Sequence, residues 1–321
     1  MEIRQDEILS LELPYRERLT LRRTIYRGGD GPRVAVVSGI HGDELEGLYV
    51  AHRVARWLEA HPTALRGQVE LLPAVNPLGL DTLERGLPTH DVDLNRNFPG
   101  HADGLLPQRL TDAVMTALAG AALVVDIHAS NIYLREIPQI RINQCFAPDL
   151  VPLARPMNMD VIWLHEAATV LEATLAHSLN QRGVSCLVAE LGVGMRVTPA
   201  YGEQMLRGLL ATWQGLGVIA LDAPLAPCDH RPLVATDANV RYLNASTSGL
   251  FVPTVEHWTA VRKDAPLGHI VSPFGGAVLA EVTAPADGVL FTLREYPLVY
   301  EGSLMARIVA TGDPAGKEAA P

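Results

Sequence analysis

The sequence predicts an α/β fold, with a mostly parallel or mixed sheet flanked by helices and a smaller C-terminal all-β domain. Between residues 33 and 218, apolar segments of strand length alternate with segments whose apolar residues recur at helical spacing. Strands that alternate with helices indicate crossover units and a mainly parallel sheet. Beyond residue 232 this alternation stops, and short strands separated by turns predominate.

The elements of the first region follow from these patterns. The run RVAVVSGI (33–40) is apolar almost throughout, as in a strand that is buried on both faces. The segment LEGLYVAHRVARWLEA (45–60) then carries its apolar residues at helical spacing. Further strands are predicted at 68–76, 121–128 and 184–191, and further helices at 106–119, 166–181 and 200–217. A long loop rich in Pro, Gly and Asp extends to about residue 104, and residues 129–165 give no clear pattern.

The composition of the chain changes at DAPLAPCDHRP (222–232), a proline-rich segment that we interpret as a domain linker. We therefore expect an α/β domain at residues 1–225, a β domain at 226–310 and a disordered tail at 311–321. A chain of 321 residues is long enough for one large and one small domain.

Charge and composition exclude several classes of protein. The formal net charge of −10 argues against nucleic acid or an anionic membrane as a partner. The three cysteines form no CxxC pair, and no apolar run approaches the roughly 20 residues of a membrane span. The first residues, MEIRQDEILS, are too charged for a signal peptide. We expect a cytoplasmic protein that binds a small molecule, and a homo-oligomer remains open.

Chemically active side chains stand at the ends of the predicted strands. His41 follows the first strand, Glu44 comes three residues later, His128 ends the third strand and Glu190 ends the fourth. Ligands of open α/β sheets bind beyond the carboxyl ends of the strands. Two histidines and a glutamate suffice for a catalytic zinc site, and the spacing of His41 and Glu44 puts both on one helical face. Glu190 is then an additional carboxylate beside the metal.

Simpler interpretations exist for each of these residues alone. Glu44 could be an acidic residue favoured by the helix dipole, and His128 a hydrogen-bonded histidine at a sheet edge. The joint placement of the residues at one edge of the sheet favours the metal site.

The long loop contains LERGLPTHDVDLNRNFPG (83–100), in which Arg85, Asn95 and Arg96 are candidate substrate-binding residues. The planar guanidinium group suits carboxylates, and an asparagine amide can donate beside it. The alternative is a solvated loop whose arginines pair with its own aspartates. The position of the loop, after a strand that ends between the two metal-bearing elements, favours substrate binding.

The motifs HGDE, R…DLNRNFPG, DIHAS and AELG, in this order, resemble those of the succinylglutamate desuccinylase and aspartoacylase family, which is related to the zinc carboxypeptidases. The resemblance covers roughly residues 30 to 310. It implies a zinc-carboxypeptidase-like fold and one zinc ion per chain. The implied zinc ligands are His41, Glu44 and His128.

The resemblance also implies the roles of the remaining residues. Glu190 would be the general base, Arg85 would polarise the scissile carbonyl, and Asn95 with Arg96 would hold the substrate carboxylate. The spacing from Arg85 to Asn95 is longer than in typical desuccinylases, so Arg109 is the next candidate for the role of Arg85. Another departure is Asp43, where many members have asparagine.

The implied function is zinc-dependent hydrolysis of the amide bond of a small N-acyl amino acid or a related compound with a carboxylate. A metallocarboxypeptidase acting on short peptides is the first alternative, and a non-catalytic zinc-containing binding protein is the second. The segment 268–308 resembles the β folds of lipoyl and biotinyl carriers, above all at APADG. It has no lysine to accept a cofactor, so we expect none, and we expect this domain to narrow the approach to the zinc.

Overall fold

The structure is a computed structural model that describes residues 1–166, 172–222 and 231–311. The helices are α1 (Glu46–Ala60), α2 (Pro77–Thr82), α3 (Leu106–Leu118), α4 (Ala147–Ala154), α5 (Leu175–Gln181) and α6 (Pro199–Gly215), with short 3-10 turns at Leu94–Arg96, Gln144–Phe146 and Arg155–Met157. The strands that precede residue 200 are β1 (Glu2–Glu12), β2 (Arg18–Arg27), β3 (Arg33–Ser38), β4 (Gln68–Leu72), β5 (Leu123–Ser130), β6 (Leu134–Asn143), β7 (Val161–His165) and β8 (Cys186–Val193). The strands that follow are β9 (Leu233–Thr236), β10 (Val240–Asn244), β11 (Gly249–Pro253), β12 (Thr259–Val261), β13 (Pro266–Val271), β14 (Val278–Thr283), β15 (Gly288–Arg294), β16 (Leu298–Val299) and β17 (Leu304–Ala310).

A mixed sheet forms the centre of the molecule, and its main path runs β1-β2-β4-β3-β5-β8-β6-β15-β17-β10. The strands β4, β3, β5 and β8 are parallel to their neighbours in this group. Antiparallel strands extend the group on both sides, β2 next to β4 and β6 next to β8. The predicted fold class, an α/β sheet flanked by helices, is confirmed.

The parallel strands are apolar because helices cover both of their faces. Val36 and Ile127 belong to a core under α1 and α6, whereas Val37 and Val124 belong to a second core under α3 and α5. All eight residues of β5 are buried. Burial on both faces produces the continuous apolar runs from which the strands were predicted.

The C-terminal strands divide into two groups. Strands β9, β10, β12, β15 and β17 continue the central sheet, because β15 pairs with β6 at Thr292–Glu136 and β9 pairs with β7. Strands β14, β13, β11 and β16 form a separate antiparallel sheet of four strands, which confirms the small C-terminal β structure. The predicted linker lies mostly outside the described residues, as does the predicted tail after residue 311.

Several elements differ from the prediction. The sequence patterns missed the N-terminal hairpin of β1 and β2, and β6 and β7 fill the region without a clear pattern. The helix predicted at 166–181 begins only at Leu175 within the described residues, because the Thr174 hydroxyl accepts the His177 N–H and caps the first turn. Residues 167–171 lie outside the described part.

Among the described residues, no helix combines the length and hydropathy of a membrane span.

The packing of α6 provides a test of the fold. Gly208 lies so close to the short turn before β7 that a Cβ atom would stand 1.8 Å from the Met157 carbonyl oxygen. Gly208→Ala should therefore lower the free energy of unfolding by about 2–3 kcal/mol. Gly215 ends the same helix, and a Cβ there meets nothing within 4 Å. Gly215→Ala should be neutral or stabilise by up to ~1 kcal/mol. Urea unfolding of both variants checks the prediction, and equal midpoints would contradict the packing.

Candidate metal centre and its pocket

The candidate site lies where the order of the parallel strands reverses. From β3 the chain crosses to β4 on one side, and it then returns past β3 to β5 on the other side. The gap beyond the carboxyl ends of β3 and β5 is therefore the crevice in which open α/β sheets bind ligands. His41 follows β3, and His128 lies near the end of β5.

His41 and Glu44 are positioned by a tight turn. The Glu44 N–H donates to the His41 carbonyl at 3.4 Å, and α1 begins only at Glu46. The prediction that the two residues share a helical face was therefore wrong, although the turn brings their side chains together. Within the turn, the Gly42 N–H donates to the Glu84 carbonyl at 3.1 Å, and a Cβ on Gly42 would come within 2.0 Å of Gly79. Only glycine allows this approach of the loop that carries the arginines.

The three candidate metal ligands converge. His41 Nδ1 lies 2.8 Å from Glu44 Oε1, and His128 Nδ1 lies 2.9 Å from Glu44 Oε2. The two Nδ1 atoms are 3.2 Å apart. All three side chains are buried, and one ligand atom from each falls within 4.8 Å of the others.

Carboxylates bind the outer nitrogen of each histidine. His41 Nε2 is 3.0 Å from Asp93 Oδ1, and His128 Nε2 is 2.9 Å from Asp126 Oδ2. An ionised carboxylate only accepts, so each Nε2 carries a proton, and each ring in its neutral form has its lone pair inward at Nδ1. The inward lone pairs and the Glu44 carboxylate then face each other without a donor between them. A divalent cation satisfies all three, so the cluster fits a metal ion.

The pKa directions show that the cluster attracts positive charge. Burial opposes a charge on His128, but the carboxylates of Asp126 and Glu44 hold its pKa well above the ordinary value. Burial favours protonation of Glu44, yet the neighbouring histidines hold its pKa well below the usual range, and His41 has the larger effect of the two. The cluster therefore binds positive charge strongly, and protons compete with a metal for the two Nδ1 atoms.

The loop residues reach the same pocket. Arg85 Nη1 donates to Glu44 Oε1 at 2.7 Å, and its Nη2 lies 3.6 Å from Asp93. Asn95 is buried, and its side-chain oxygen accepts the Leu175 N–H at 3.0 Å, so that only its amide NH2 can donate to a substrate. Arg96 donates to the Asn95 carbonyl at 2.7 Å. Arg109, the other candidate from the sequence, instead lines a separate cavity beside α3.

Glu190 lies on β8 directly beside His128, its Cα partner on β5. Burial raises the pKa of Glu190, and the Arg141 guanidinium at 3.0 Å opposes this shift. A cavity of about 240 Å³ connects these groups, and the structure brings every predicted site residue to its walls. These are His41, Glu44, Arg85, Asn95, Arg96, His128 and Glu190.

Sequence reasoning missed three charged residues of the same cavity. Glu136 and Arg141 come from β6, in the region without a clear pattern, and Arg307 comes from β17. Arg141 stands between two buried isoleucines in QIRIN, and a charged residue in such an alternation was the available signal. No pattern in the sequence indicated Arg307, because its position depends on pairing between strands that are distant in sequence.

A mixed sheet with a histidine–glutamate–histidine cluster at the switch point of its parallel strands, and a mostly buried glutamate alongside, defines an α/β protein with a candidate metal centre. The chain belongs to the family of the succinylglutamate desuccinylase/aspartoacylase catalytic domain, whose model matches residues 30–216. The family predicted from the motifs is thereby confirmed.

Individual relatives extend the comparison over most of the chain. The N-alpha-acetyl-L-2,4-diaminobutyric acid deacetylase of Halomonas elongata is 30% identical over 303 residues, which cover 91% of this chain and 86% of that protein. The product-bound ectoine utilization protein EutE (DoeB) of Ruegeria pomeroyi has a TM-score of 0.82 at 20% identity, over 96% of this chain and 95% of the other. A succinylglutamate desuccinylase/aspartoacylase of Rhodobacter sphaeroides has a TM-score of 0.81 at 23% identity, over 97% of this chain and 96% of the other. The family places the chain among deacylases that act on amide bonds.

The support that Asp126 gives to His128 can be tested by metal binding. Asp126→Asn keeps the shape of the side chain but removes its charge, so the affinity for a divalent ion should fall about 10- to 100-fold. Titration with Co²⁺, followed by its visible absorption, measures the change. Asp103→Asn, on an exposed loop, is the matched control and should bind like the unchanged protein. An unchanged affinity in folded Asp126→Asn would refute this role of Asp126.

Proposed function

We propose that the protein is a zinc-dependent amidohydrolase that removes the acyl group from a small N-acyl amino acid with a free carboxylate. One observation carries the proposal: the candidate ligands, a mostly buried glutamate and three loop residues that can bind a carboxylate line the same small cavity. Membership in a deacylase family supports the reaction type.

The proposed zinc ligands are His41, Glu44 and His128, one ion per chain. Two imidazoles and a carboxylate form a common ligand set of catalytic zinc, and they leave a position for water or substrate. When bound, zinc supplies a Lewis acid that polarises the scissile carbonyl and makes water more acidic. Asp93 and Asp126 hold the two imidazoles through Nε2, so that both Nδ1 atoms would be available to the zinc.

Glu190 is the proposed general base. Its carboxylate takes a proton from the attacking water and delivers it to the leaving nitrogen, so that the C–N bond breaks to give a carboxylic acid and an amine. Its place beside His128 supports this role. The pKa raised by burial strengthens it as a base at neutral pH.

The loop residues are proposed to bind the two oxygen-bearing ends of the substrate. The contact of Arg85 with Glu44 supports a role in which its guanidinium stabilises the oxyanion that develops on the scissile carbonyl. The amide of Asn95 and the guanidinium of Arg96 are proposed to hold the carboxylate of the amino acid.

The size and charge of the cavity favour a small anionic substrate. Its volume of about 240 Å³ lies below the roughly 300–1,000 Å³ of sites for drug-sized ligands. Four arginines and three glutamates line it, and zinc would add two positive charges. Arg307 of β17 forms part of the wall, which supports the proposal that the C-terminal strands narrow the approach. The acetylated amino acid in the name of the Halomonas relative suggests a short acyl group.

Metal analysis together with a substrate panel tests the proposal. Protein purified without added metal should contain about one zinc per chain, and a chelator should abolish activity. The panel comprises N-α-acetyl-diaminobutyrate, N-acetylaspartate, N-succinylglutamate, N-acetylalanine and short peptides. At least one N-acyl amino acid should be hydrolysed faster than any peptide. Glu190→Gln should lower kcat by about 10²-fold or more with an unchanged zinc content.

Each alternative has its own outcome in this experiment. Preferential cleavage of peptides would identify a carboxypeptidase, and bound zinc without any turnover would identify a binding protein. Loss of zinc in Glu190→Gln would mean that Glu190 is itself a ligand. Activity that survives complete removal of metal would exclude the proposed chemistry.

The roles of the loop arginines separate kinetically. Arg96→Ala should chiefly raise KM, because the carboxylate is bound equally in ground and transition states. Arg85→Ala should chiefly lower kcat, because its contact strengthens as the oxyanion forms. Arg109→Ala, which alters the separate cavity, is the control and should leave both constants unchanged. If Arg85→Ala keeps its kcat, another group polarises the carbonyl.

A further inference from the structure

A ladder of ion pairs connects Glu190 to the C-terminal strands. Arg141 Nη1 lies 3.0 Å from Glu190 Oε1, and its Nη2 donates to Glu136 Oε1 at 3.0 Å. Arg307 Nη1, on β17, donates to the same Glu136 oxygen at 2.7 Å. The charges alternate along the ladder, from β8 through β6 to β17.

Glu136 is the fixed point of this ladder. Its side chain is 1% exposed, and the second oxygen accepts from Gln139 at 2.8 Å and from the Thr292 hydroxyl at 2.5 Å. Both oxygens are thus occupied by donors from three strands, and burial would favour the neutral form if the arginines did not hold its pKa below the usual value. Glu136 is therefore an anchor and not a group available to a substrate.

Arg141 has little freedom to move. Its guanidinium carbon lies 5.4 Å from the centre of the Trp163 ring, and that of Arg307 lies 5.5 Å from the same centre. The Trp163 indole N–H donates to Asp237 at 2.9 Å, which fixes the ring. Stacking and the bond to Glu136 together orient the planar fork, so that one arm holds Glu190 Oε1.

We propose that Arg141 is a positioning residue for Glu190, and that the C-terminal strands contribute to catalysis by fixing Arg141 through Arg307 and Glu136. A glutamate has three rotatable bonds, and a base displaced by about 1 Å can lose about 10²-fold in rate. Arg141 holds one carboxylate oxygen and leaves the other for the proton. The inference rests on the proposed role of Glu190 as the base.

A different role for Arg141 would be to bind the substrate carboxylate. The two roles separate in the kinetics, because a positioning residue affects kcat, whereas a residue that binds ground and transition states equally affects KM. Affinity for the amino acid product gives a second readout that does not depend on turnover.

The experiment compares Arg141→Ala with Arg135→Ala. Arg135 lies on the same strand, but its guanidinium pairs with Glu295 at 2.9 Å. Arg141→Ala should lower kcat about 10²-fold, with KM and product affinity within about threefold of the unchanged enzyme and zinc content preserved. Added guanidinium ion should restore at least a tenth of the lost rate, and Arg135→Ala should behave like the unchanged enzyme.

Two further variants make the test robust. Arg141→Lys keeps the charge but cannot bridge two carboxylates in the same way, so its kcat should fall about tenfold. This variant replaces Arg141→Ala in the test if the alanine variant does not fold. Arg307→Met weakens the anchor from the C-terminal side and should lower kcat about tenfold without a change in KM.

The outcomes separate this inference from the proposed function. An unchanged enzyme that hydrolyses no N-acyl substrate refutes the proposed function, and the inference fails with it. An active enzyme whose Arg141 variants keep their kcat, or lose only substrate affinity, refutes the inference alone. A lowered kcat with intact KM in the Arg141 variants but not in Arg307→Met retains the positioning role and refutes the contribution of the C-terminal strands.

Discussion

The site depends on three inward-facing acceptors that have no donor among themselves. His41 and His128 turn their Nδ1 atoms toward the Glu44 carboxylate, because Asp93 and Asp126 occupy the outer nitrogens, and a neutral ring has only a lone pair there. A buried cluster of this kind is stable only with positive charge at its centre. The surrounding structure serves this requirement: the switch point supplies the space, the turn after β3 supplies two of the acceptors, and β5 supplies the third.

The same principle extends outward, because arginines bridge the carboxylates around the cavity. Arg85 contacts Glu44 and Asp93, and Arg141 contacts Glu190 and Glu136. A buried charge that is left unpaired costs several kcal/mol, so each bridge fixes the carboxylates that it joins. Arg307 of β17 completes the second bridge by contacting Glu136. It can reach Glu136 because β6 pairs with β15, and β15 pairs with β17. The composition change near residue 222 is thus not a boundary in the hydrogen-bonded sheet.

The sequence predicted the fold class and the residues at strand ends, because both depend on local patterns. Apolar runs identify buried parallel strands, and parallel strands place their carboxyl ends together. The N-terminal hairpin was missed because the first half of β1 is mostly charged or polar, and none of its residues is fully buried. The ladder of Glu136, Arg141 and Arg307 escaped because it requires the register between β6, β15 and β17, which residue patterns within one segment do not determine. The sequence pattern predicts helix at Glu44, where the structure has a turn, because local patterns define the ends of helices and strands least well.

The long spacing between Arg85 and Asn95 has a structural explanation. Leu87 and Val92 form an antiparallel bridge, in which the Leu87 N–H donates to the Val92 carbonyl at 2.8 Å, and the intervening residues form a turn. The base of this turn is fixed, because Leu87 is buried and the Asn76 side chain donates to the Gly86 carbonyl at 2.9 Å. The residues between Leu87 and Val92 therefore lengthen the sequence between Arg85 and Asn95 without moving the two ends of the turn apart. Both Arg85 and Asn95 reach the cavity, so the spacing does not count against a shared site.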